Sequence, residues 1–369
     1  MQWIFDVNIR FTKLAKQILY MPEFPLISIC IPAYKRIDYL QKLLDSISIQ
    51  TYKDYEVIVT DDSPDESVGN FVKNFISIKN IRYYKNLKVL GTPENWNESI
   101  RKAKGKWIKL MHDDDWFVDE NSLKIFYEAT LKNTDCSFIF AAHNNVNEKS
   151  NFQETVRLNW WKSFLLNQSP LNLFNKQFVG SPSTTLIRRD IDLFYDSSFK
   201  WVVDFEYYIR CLRRRKRYYY IRAIIINVGL NEEQVTKTSF RVPEIEIPEN
   251  HLMIEKMGFQ ILRNIFVYDY YWRLYRNLEI RNVEDIRKYY DKPLHPLLKQ
   301  MINFQKKISG SILKLGSFSK LFMFQNYFLI SFHKINFKVK KYVVCNYENS
   351  ANNRSNRPGW SLFIGAFIK

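Results

Sequence analysis

The sequence predicts an α/β fold: a mostly parallel sheet with helices on both faces, followed by a helical C-terminal region. Three observations carry that expectation. Strand-like apolar runs and helical repeats alternate four times between Leu26 and Met111, the pattern of a parallel sheet covered by helices. Pro32-Ala33-Tyr34, Asp61-Asp62 and Asp113-Asp114-Asp115 each stand where such a run ends, and open α/β sheets bind their ligands at the carboxyl ends of the strands. Beyond Pro243 and Pro248 the alternation stops and helical repeats take over.

The composition bounds what the chain does. With 46% hydrophobic and 25% charged residues over 369 positions, it has enough apolar material for a full core and divides into about two units. Cys30, Cys136, Cys211 and Cys345 are far apart with no CxxC pair, which argues against a disulfide framework or a thiolate metal site and fits a reducing compartment. The net charge of +17 is uneven: from Lys292 to Lys369 thirteen basic residues face the single acid Glu348. Interleaved with Phe, Leu and Ile, that segment fits an anionic membrane surface better than nucleic acid. No run of about 18 apolar residues and no charged-then-apolar leader is present, so neither a spanning helix nor secretion is expected.

In chain order, Phe11, Leu14, Ile18 and Leu19 share one helical face opposite Lys13 and Lys16, suited to a membrane surface or to packing on the domain behind it. Pro22 and Pro25 close this N-terminal extension, residues 1–24. Leu26 to Ile31 predicts a buried strand, and Asp38 opens a helix with Leu40, Leu43, Leu44 and Ile47 at helical spacing. Glu56 to Thr60 predicts the second strand; helical residues around Phe71 to Phe75 and a short strand, Ile81 to Tyr84, follow. Gly91 opens a loop, Asn95 to Ala103 predicts a helix, and Gly105 to Met111 predicts a strand that runs straight into the Asp triplet.

Three adjacent carboxylates repel one another. A divalent cation, Mg²⁺ or Mn²⁺, held by one or two of them and by substrate phosphates would neutralise them. Taken alone, the triplet is equally a solvated turn capping the next helix. His112 is either a further ligand or a hydrogen-bonded strand-end histidine.

Pro32-Ala33-Tyr34-Lys35-Arg36, Gln50-Thr51-Tyr52 before a strand ending in Asp61-Asp62-Ser63, Gly91 with Asn97 six positions on, and Ala103-Lys104-Gly105 before the triplet occur together in this order. As a set, from about Pro25 to Thr238, they resemble glycosyltransferase family 2. The resemblance implies a GT-A fold, Rossmann-like, that binds a nucleoside diphosphate sugar and moves the sugar to a hydroxyl. It implies that Pro32, Ala33 and Tyr34 shelter the base and ribose, although Tyr34 is also explained by packing. Lys35 stands where most members carry Asn, which leaves that position without an assigned role. Asp62 matches the carboxylate that accepts a base-ring N–H, which favours a UDP-type donor, with Asp61 bracing the turn. Asn97 matches a position near the nucleotide, or braces its own loop.

For the triplet, the resemblance implies Asp115 as the metal ligand with Asp113 at Asp-x-Asp spacing, and Asp113 and Asp114 sharing the remaining contacts to the nucleotide sugar. The family string has an Asp where this chain has His112. A base is also required, and Asp204, in the first turns of a helix with Tyr208, Cys211 and Leu212 inward, fits best; its alternative is an acid complementing the helix dipole, and Glu206 is the fallback. A single carboxylate base implies inversion at the anomeric carbon. Gly180-Ser181-Pro182-Ser183 resembles the acceptor-side loop, Arg213 to Arg217 either complements the dipole or meets an acceptor phosphate, and Gln234 to Lys237 resembles a closing loop.

The expected organisation is a catalytic domain over 25–242, a basic helical region over 243–345 with one long helix from Asn250 to Asn277, and a polar tail over 346–369. The expected activity is a cytoplasmic, peripherally membrane-bound, metal-dependent transfer from a nucleoside diphosphate sugar to a lipid-linked or oligosaccharide acceptor in bacterial surface polysaccharide synthesis, O-antigen or capsule. Two other readings stand beside it: a catalytically silent sugar-nucleotide-binding subunit, against which the retained triplet and Asp204 argue, and a nucleotidyltransferase, which needs a Gly-rich loop that residues 32–36 lack.

Overall fold

A computed structural model describes residues 25–231 and 239–329. The amphipathic stretch before Pro25, the Gln234 to Lys237 loop and the polar tail lie outside the described residues. Two compact units emerge, one holding the described residues up to Tyr270 with Lys288–Asp291, the other Tyr271–Arg287 and the described residues from Lys292.

The first unit is built on one nine-stranded sheet. Strands β1 (Ile27–Ala33), β2 (Tyr55–Asp61), β3 (Ile81–Lys85) and β4 (Trp107–Leu110) are parallel in the order β3-β2-β1-β4. Every residue of β2, and all of β1 except the half-buried Pro32, is buried, because helices cover both faces. One such helix, α1 (Ile37–Ser48), turns Leu40, Leu43, Leu44 and Ile47 into the core. The helix expected around Phe71 to Phe75 is α2 (Ser67–Asn74), and that expected from Asn95 is α3 (Glu94–Lys102).

Past β4 the sheet departs from the parallel pattern and is mixed over its full width. β8 (Thr185–Arg188) pairs antiparallel with β4 and with β6 (Phe138–Asn147), β9 (Tyr218–Gly229) runs parallel to β6, and the two-residue β5 (Trp116–Phe117) and β7 (Phe152–Val156) pair antiparallel with β9 and β6. β5 pairs with β9 just after the Asp triplet, and Asp115 meets Gly229 at the end of β9 and Ser181 shortly before the start of β8. Two further helices of this half are α4 (Ser122–Lys132) and α5 (Trp160–Gln168), and α6 (Val203–Arg214) carries Asp204.

One long helix from Asn250 to Asn277 does not form. Helix α7 (Pro243–Met257) ends at Gly258, whose φ of 86° lies in the region that favours glycine. A short 3₁₀ turn, Phe259–Arg263, follows, and Asn264 then caps α8 (Ile265–Asn277) by accepting the Phe266 and Val267 backbone N–H at 2.8 and 3.3 Å. In the second unit α9 (Val283–Arg287), α10 (Pro296–Lys306), α11 (Gly310–Lys314) and α12 (316–329) gather around Trp272, whose carbonyl accepts the buried Gln305 amide at 3.0 Å. Among the described residues no helix is long and apolar enough to cross a membrane.

Candidate active site

The carboxyl edge of β1, β2 and β4 opens into a cleft of about 1510 Å³ within the first unit. Pro32, Ala33, Tyr34, Asp62, the whole triplet and Asp204 line it. Residues about ninety positions apart in sequence thus share one wall, because β4 delivers the triplet and α6 presents its first turn to the same space.

At the nucleotide side, Tyr34 lines the cleft and is 48% exposed, with the Lys35 ammonium over its ring 5.1 Å from the centroid. Lys35 adopts φ 64°, a sharp left-handed turn that aims the next side chain back along the sheet edge. Asp62 accepts the Asn86 amide at 2.7 Å and the Leu90 and Gly91 backbone N–H at 3.1 and 2.7 Å, tying down the loop that forms the cleft rim. A carboxylate has about four acceptor positions, so one remains on Asp62. Asp61 braces the turn through Tyr83, Lys85 and Ser63 at 2.7, 3.1 and 2.7 Å.

Asn97 does not reach the cleft. Its amide is buried against Tyr195, accepting the Tyr195 N–H at 2.9 Å and donating to the Tyr195 carbonyl at 2.8 Å. Asn95 lines the cleft instead, its side chain joined to Asn86 at 2.9 Å and to the Thr60 carbonyl at 3.2 Å. Two helical positions apart, the side chains leave the axis in opposite directions.

The triplet divides its labour differently from the expected pair, Asp115 with Asp113. Asp113 is gripped by the Arg36 guanidinium, through Nε at 3.1 Å and through NH2. Asp114 accepts the Asn231 amide at 2.7 Å; Asp115 accepts the Gly229 N–H at 3.0 Å and the Ser181 hydroxyl at 3.2 Å. One ligand atom each from His112, Asp114 and Asp115 falls within 4.8 Å of the others. Nε2 of His112 is buried and has no hydrogen-bond partner among the described residues. An imidazole nitrogen and two carboxylates this close together are a donor set that could hold a divalent cation, joining a nitrogen to hard oxygen donors.

Burial sets the protonation of these groups. It pushes Asp115 up to about 8, with the Asp114 charge adding and the Ser183, Gly229 and Ser181 hydrogen bonds opposing. It pushes Asp113 up to about 7 against the pull of Arg36, and His112 down to about 4, which keeps the imidazole neutral and its lone pair available. Asp204 is likewise raised by burial to about 6, opposed by the Phe205 N–H at 2.7 Å and the Gln177 amide at 3.4 Å. Glu249 of α7 holds this turn in place, accepting the N–H groups of Lys200, Trp201 and Val202 at 2.9, 2.8 and 3.2 Å.

Glu206 does not line the cleft; it is buried in a bidentate pair with Arg210 at 2.6 and 2.8 Å. Nor do Arg213 to Arg217, which close the opposite end of α6. Gly180, Ser181 and Pro182 do line it, beside Asp115. Among residues sequence reasoning left without a role, Arg36, Asn95 and Trp96 line the cleft, the last with its ring centroid 4.7 Å from His112. Arg36 stands in the first motif, but nothing local to it points to a carboxylate 77 residues on.

Gly229 is a close-approach position: a Cβ there would sit 2.2 Å from the Asp114 carbonyl oxygen. Gly229→Ala is therefore expected to push the β9 end off the triplet, lowering turnover at least ~10-fold and costing ~1–3 kcal/mol of stability, as overpacking does. Thermal melting and turnover check this together; an active, fully stable variant contradicts the placement.

Residues 28–194 match the family model described as Glycosyl transferase family 2. An uncharacterized glycosyltransferase of Rickettsia felis is 30% identical over 145 residues, 39% of this chain and 23% of that protein. Uncharacterized glycosyltransferase RP339 of Rickettsia prowazekii is 25% identical over 268 residues, 69% of this chain and 81% of that protein. The chain thus spans about a quarter or less of the first relatives it matches. Among solved structures, residues 1–349 of S. aureus TarS in complex with UDP-GlcNAc superpose with a TM-score of 0.54 at 16% identity, covering 82% of this chain and 89% of that one. PcManGT, a mannosyltransferase from Pyrobaculum calidifontis in complex with GDP-Man and Mn²⁺, gives 0.50 at 12% identity, covering 88% and 93%. Likeness at these identities speaks to the fold.

Proposed function

We propose that this chain, a glycosyltransferase of family 2 with a GT-A fold, transfers a sugar with inversion from a nucleoside diphosphate sugar to a hydroxyl of a lipid-linked saccharide in bacterial surface polysaccharide synthesis. The observation that carries the reading is that the triplet and Asp204 line one cleft. Tyr34 offers the base a flat surface, and Asp62 keeps one acceptor position for a ring N–H, which supports a UDP-type donor. The two superposed proteins were captured with UDP-GlcNAc and GDP-Man, both nucleoside diphosphate sugars.

His112, Asp114 and Asp115 would hold the Mn²⁺ or Mg²⁺. When bound, the cation offsets negative charge on the departing diphosphate. Arg36, bonded to Asp113 and 3.6 Å from Asp114, offsets part of the triplet's negative charge. Asp204, on the acceptor side, takes the hydroxyl proton as the acceptor oxygen bonds to the anomeric carbon and the bond to the diphosphate oxygen breaks. Burial that raises Asp204 to about 6 suits that task, since the base is ionised at neutral pH yet basic enough to accept a proton. A peripheral position on the cytoplasmic face of the membrane is supported by the basic, apolar C-terminal sequence.

The experiment is a panel of nucleotide sugars with Mn²⁺ or Mg²⁺, reading nucleoside diphosphate release with and without lipid-linked acceptors. Release from no nucleotide sugar under either metal would sink the reading. In the same panel His112→Ala is expected to weaken Mn²⁺ binding at least ~10-fold while changing Mg²⁺ binding less, because imidazole favours the transition metal. Mn²⁺ titration followed by electron paramagnetic resonance, with Mg²⁺ as competitor, reads this without turnover; unchanged Mn²⁺ affinity removes His112 as a ligand.

A further inference from the structure

The last described helix is more apolar outside than inside. Helices α11 and α12 bury Leu313, Ser319, Met323 and Asn326, and the Ser319 hydroxyl accepts the Trp272 indole N–H at 3.0 Å. Facing outward are Ile312, Leu315, Phe318, Leu321, Phe328 and Leu329, each between 41 and 62% exposed. A helix facing water shows the reverse arrangement, and a contiguous exposed apolar surface marks an interaction site.

Charge identifies the partner. Between Lys292 and Leu329 the sequence carries Lys292, Lys299, Lys306, Lys307, Lys314 and Lys320 and no Asp or Glu; Lys314 pairs with Glu279 of the same unit at 3.1 Å, so the exposed excess of positive charge rests on Lys299, Lys306, Lys307 and Lys320. A second copy meeting this face through its own would set lysines against lysines, since a twofold interface is self-complementary. An anionic surface with an apolar interior has neither difficulty.

We propose that the outer face of α12 docks on an anionic phospholipid bilayer, with Leu315, Phe318 and Leu321 entering the acyl boundary and the lysines meeting lipid phosphates. Docking would hold the chain at a surface that carries a lipid-linked acceptor, so the inference rests on that reading of the acceptor and deepens it.

The test is co-sedimentation of the full chain with phosphatidylcholine vesicles and with phosphatidylcholine–phosphatidylglycerol vesicles. Wild type is expected to pellet with the mixed vesicles at least ~10-fold more strongly than with neutral ones, a contribution a few surface lysines supply. The triple variant Leu315→Glu, Phe318→Glu, Leu321→Glu is expected to lose that binding at least ~10-fold with melting temperature and nucleoside diphosphate release unchanged, as exposed substitutions leave the core intact. A Leu321→Cys variant carrying an environment-sensitive fluorophore is expected to shift to the blue on the mixed vesicles. Binding indifferent to anionic lipid, or a triple variant that binds like wild type, overturns the proposal. So does light scattering that finds a wild-type dimer and a monomeric triple variant, which assigns the face to a second copy. Sedimentation needs neither donor nor acceptor, so failure here leaves sugar transfer standing, and failure of transfer leaves lipid binding standing.

Discussion

Asp204→Asn is expected to lower turnover by ~10²–10⁴-fold with little change in the donor's KM, the range lost when a positioned general base is removed. The amide preserves shape and the Phe205 contact while it abolishes proton acceptance. In wild type, burial raises the Asp204 carboxyl from 3.8 to about 6. The base works only when ionised, so turnover is expected to climb with pH through about 6 and then level. For stability the sign runs the other way. A carboxyl whose folded pKa is raised stabilises the fold below its ordinary range and loses that contribution as pH rises through about 6. At neutral pH Asp204→Asn is therefore expected to melt no lower than wild type. Wild-type turnover in this variant, or a pH limb that stays in it, removes Asp204 as the base.

The second large effect falls on Asp115. Asp115→Asn keeps the volume, but an amide gives up anionic ligation, and the group shared with His112 and Asp114 loses half of its carboxylate charge. Turnover is expected to fall ~10²–10³-fold, since metal stabilisation is worth several kcal/mol and each 1.36 kcal/mol is tenfold. Mn²⁺ affinity is expected to fall in parallel. Asp113→Asn is the comparison: with Asp113 held by Arg36, it is expected to spare Mn²⁺ affinity. Equal losses of affinity in the two variants would return Asp113 to the metal and contradict the division seen in the structure.

The parallel half of the sheet is legible in the sequence because its strands are buried on both faces, so Ile27 to Ile31 and Glu56 to Thr60 read as nearly unbroken apolar runs. Where a strand stops, a polar string starts, and that alone places Asp62 and the triplet at one edge. The antiparallel half is not legible in this way: β4 meets β8 by pairing Trp107 with Arg188, a contact across 81 positions with no local signature. Adjacent aspartates are a harder case. Which of Asp113 and Asp114 groups with Asp115 and His112 depends on a turn closed by Asp115 N–H to the His112 carbonyl at 3.1 Å and on the reach of Arg36, neither of which spacing reveals. Of the two readings of Asn97, the bracing one matches its contacts to the Tyr195 backbone, since the helix turns it away from the direction of Asn95. Gly258 was readable, because a glycine within a helical repeat often ends it, yet its aromatic flanks looked continuous.

The account stands on one cleft in which a cation-held diphosphate and the half-buried Asp204 face the same anomeric carbon. Its most direct test is crystallographic, with Mn²⁺ and a nucleoside diphosphate sugar soaked into the Asp204→Asn protein and the ion located by anomalous scattering. The account predicts a peak at coordination distance, ~2.0–2.3 Å, from Asp115 and Asp114 oxygens and from an imidazole nitrogen of His112, with the diphosphate on the ion and the sugar turned toward residue 204. An ion bound elsewhere, or a sugar whose anomeric carbon faces away from that side chain, contradicts it.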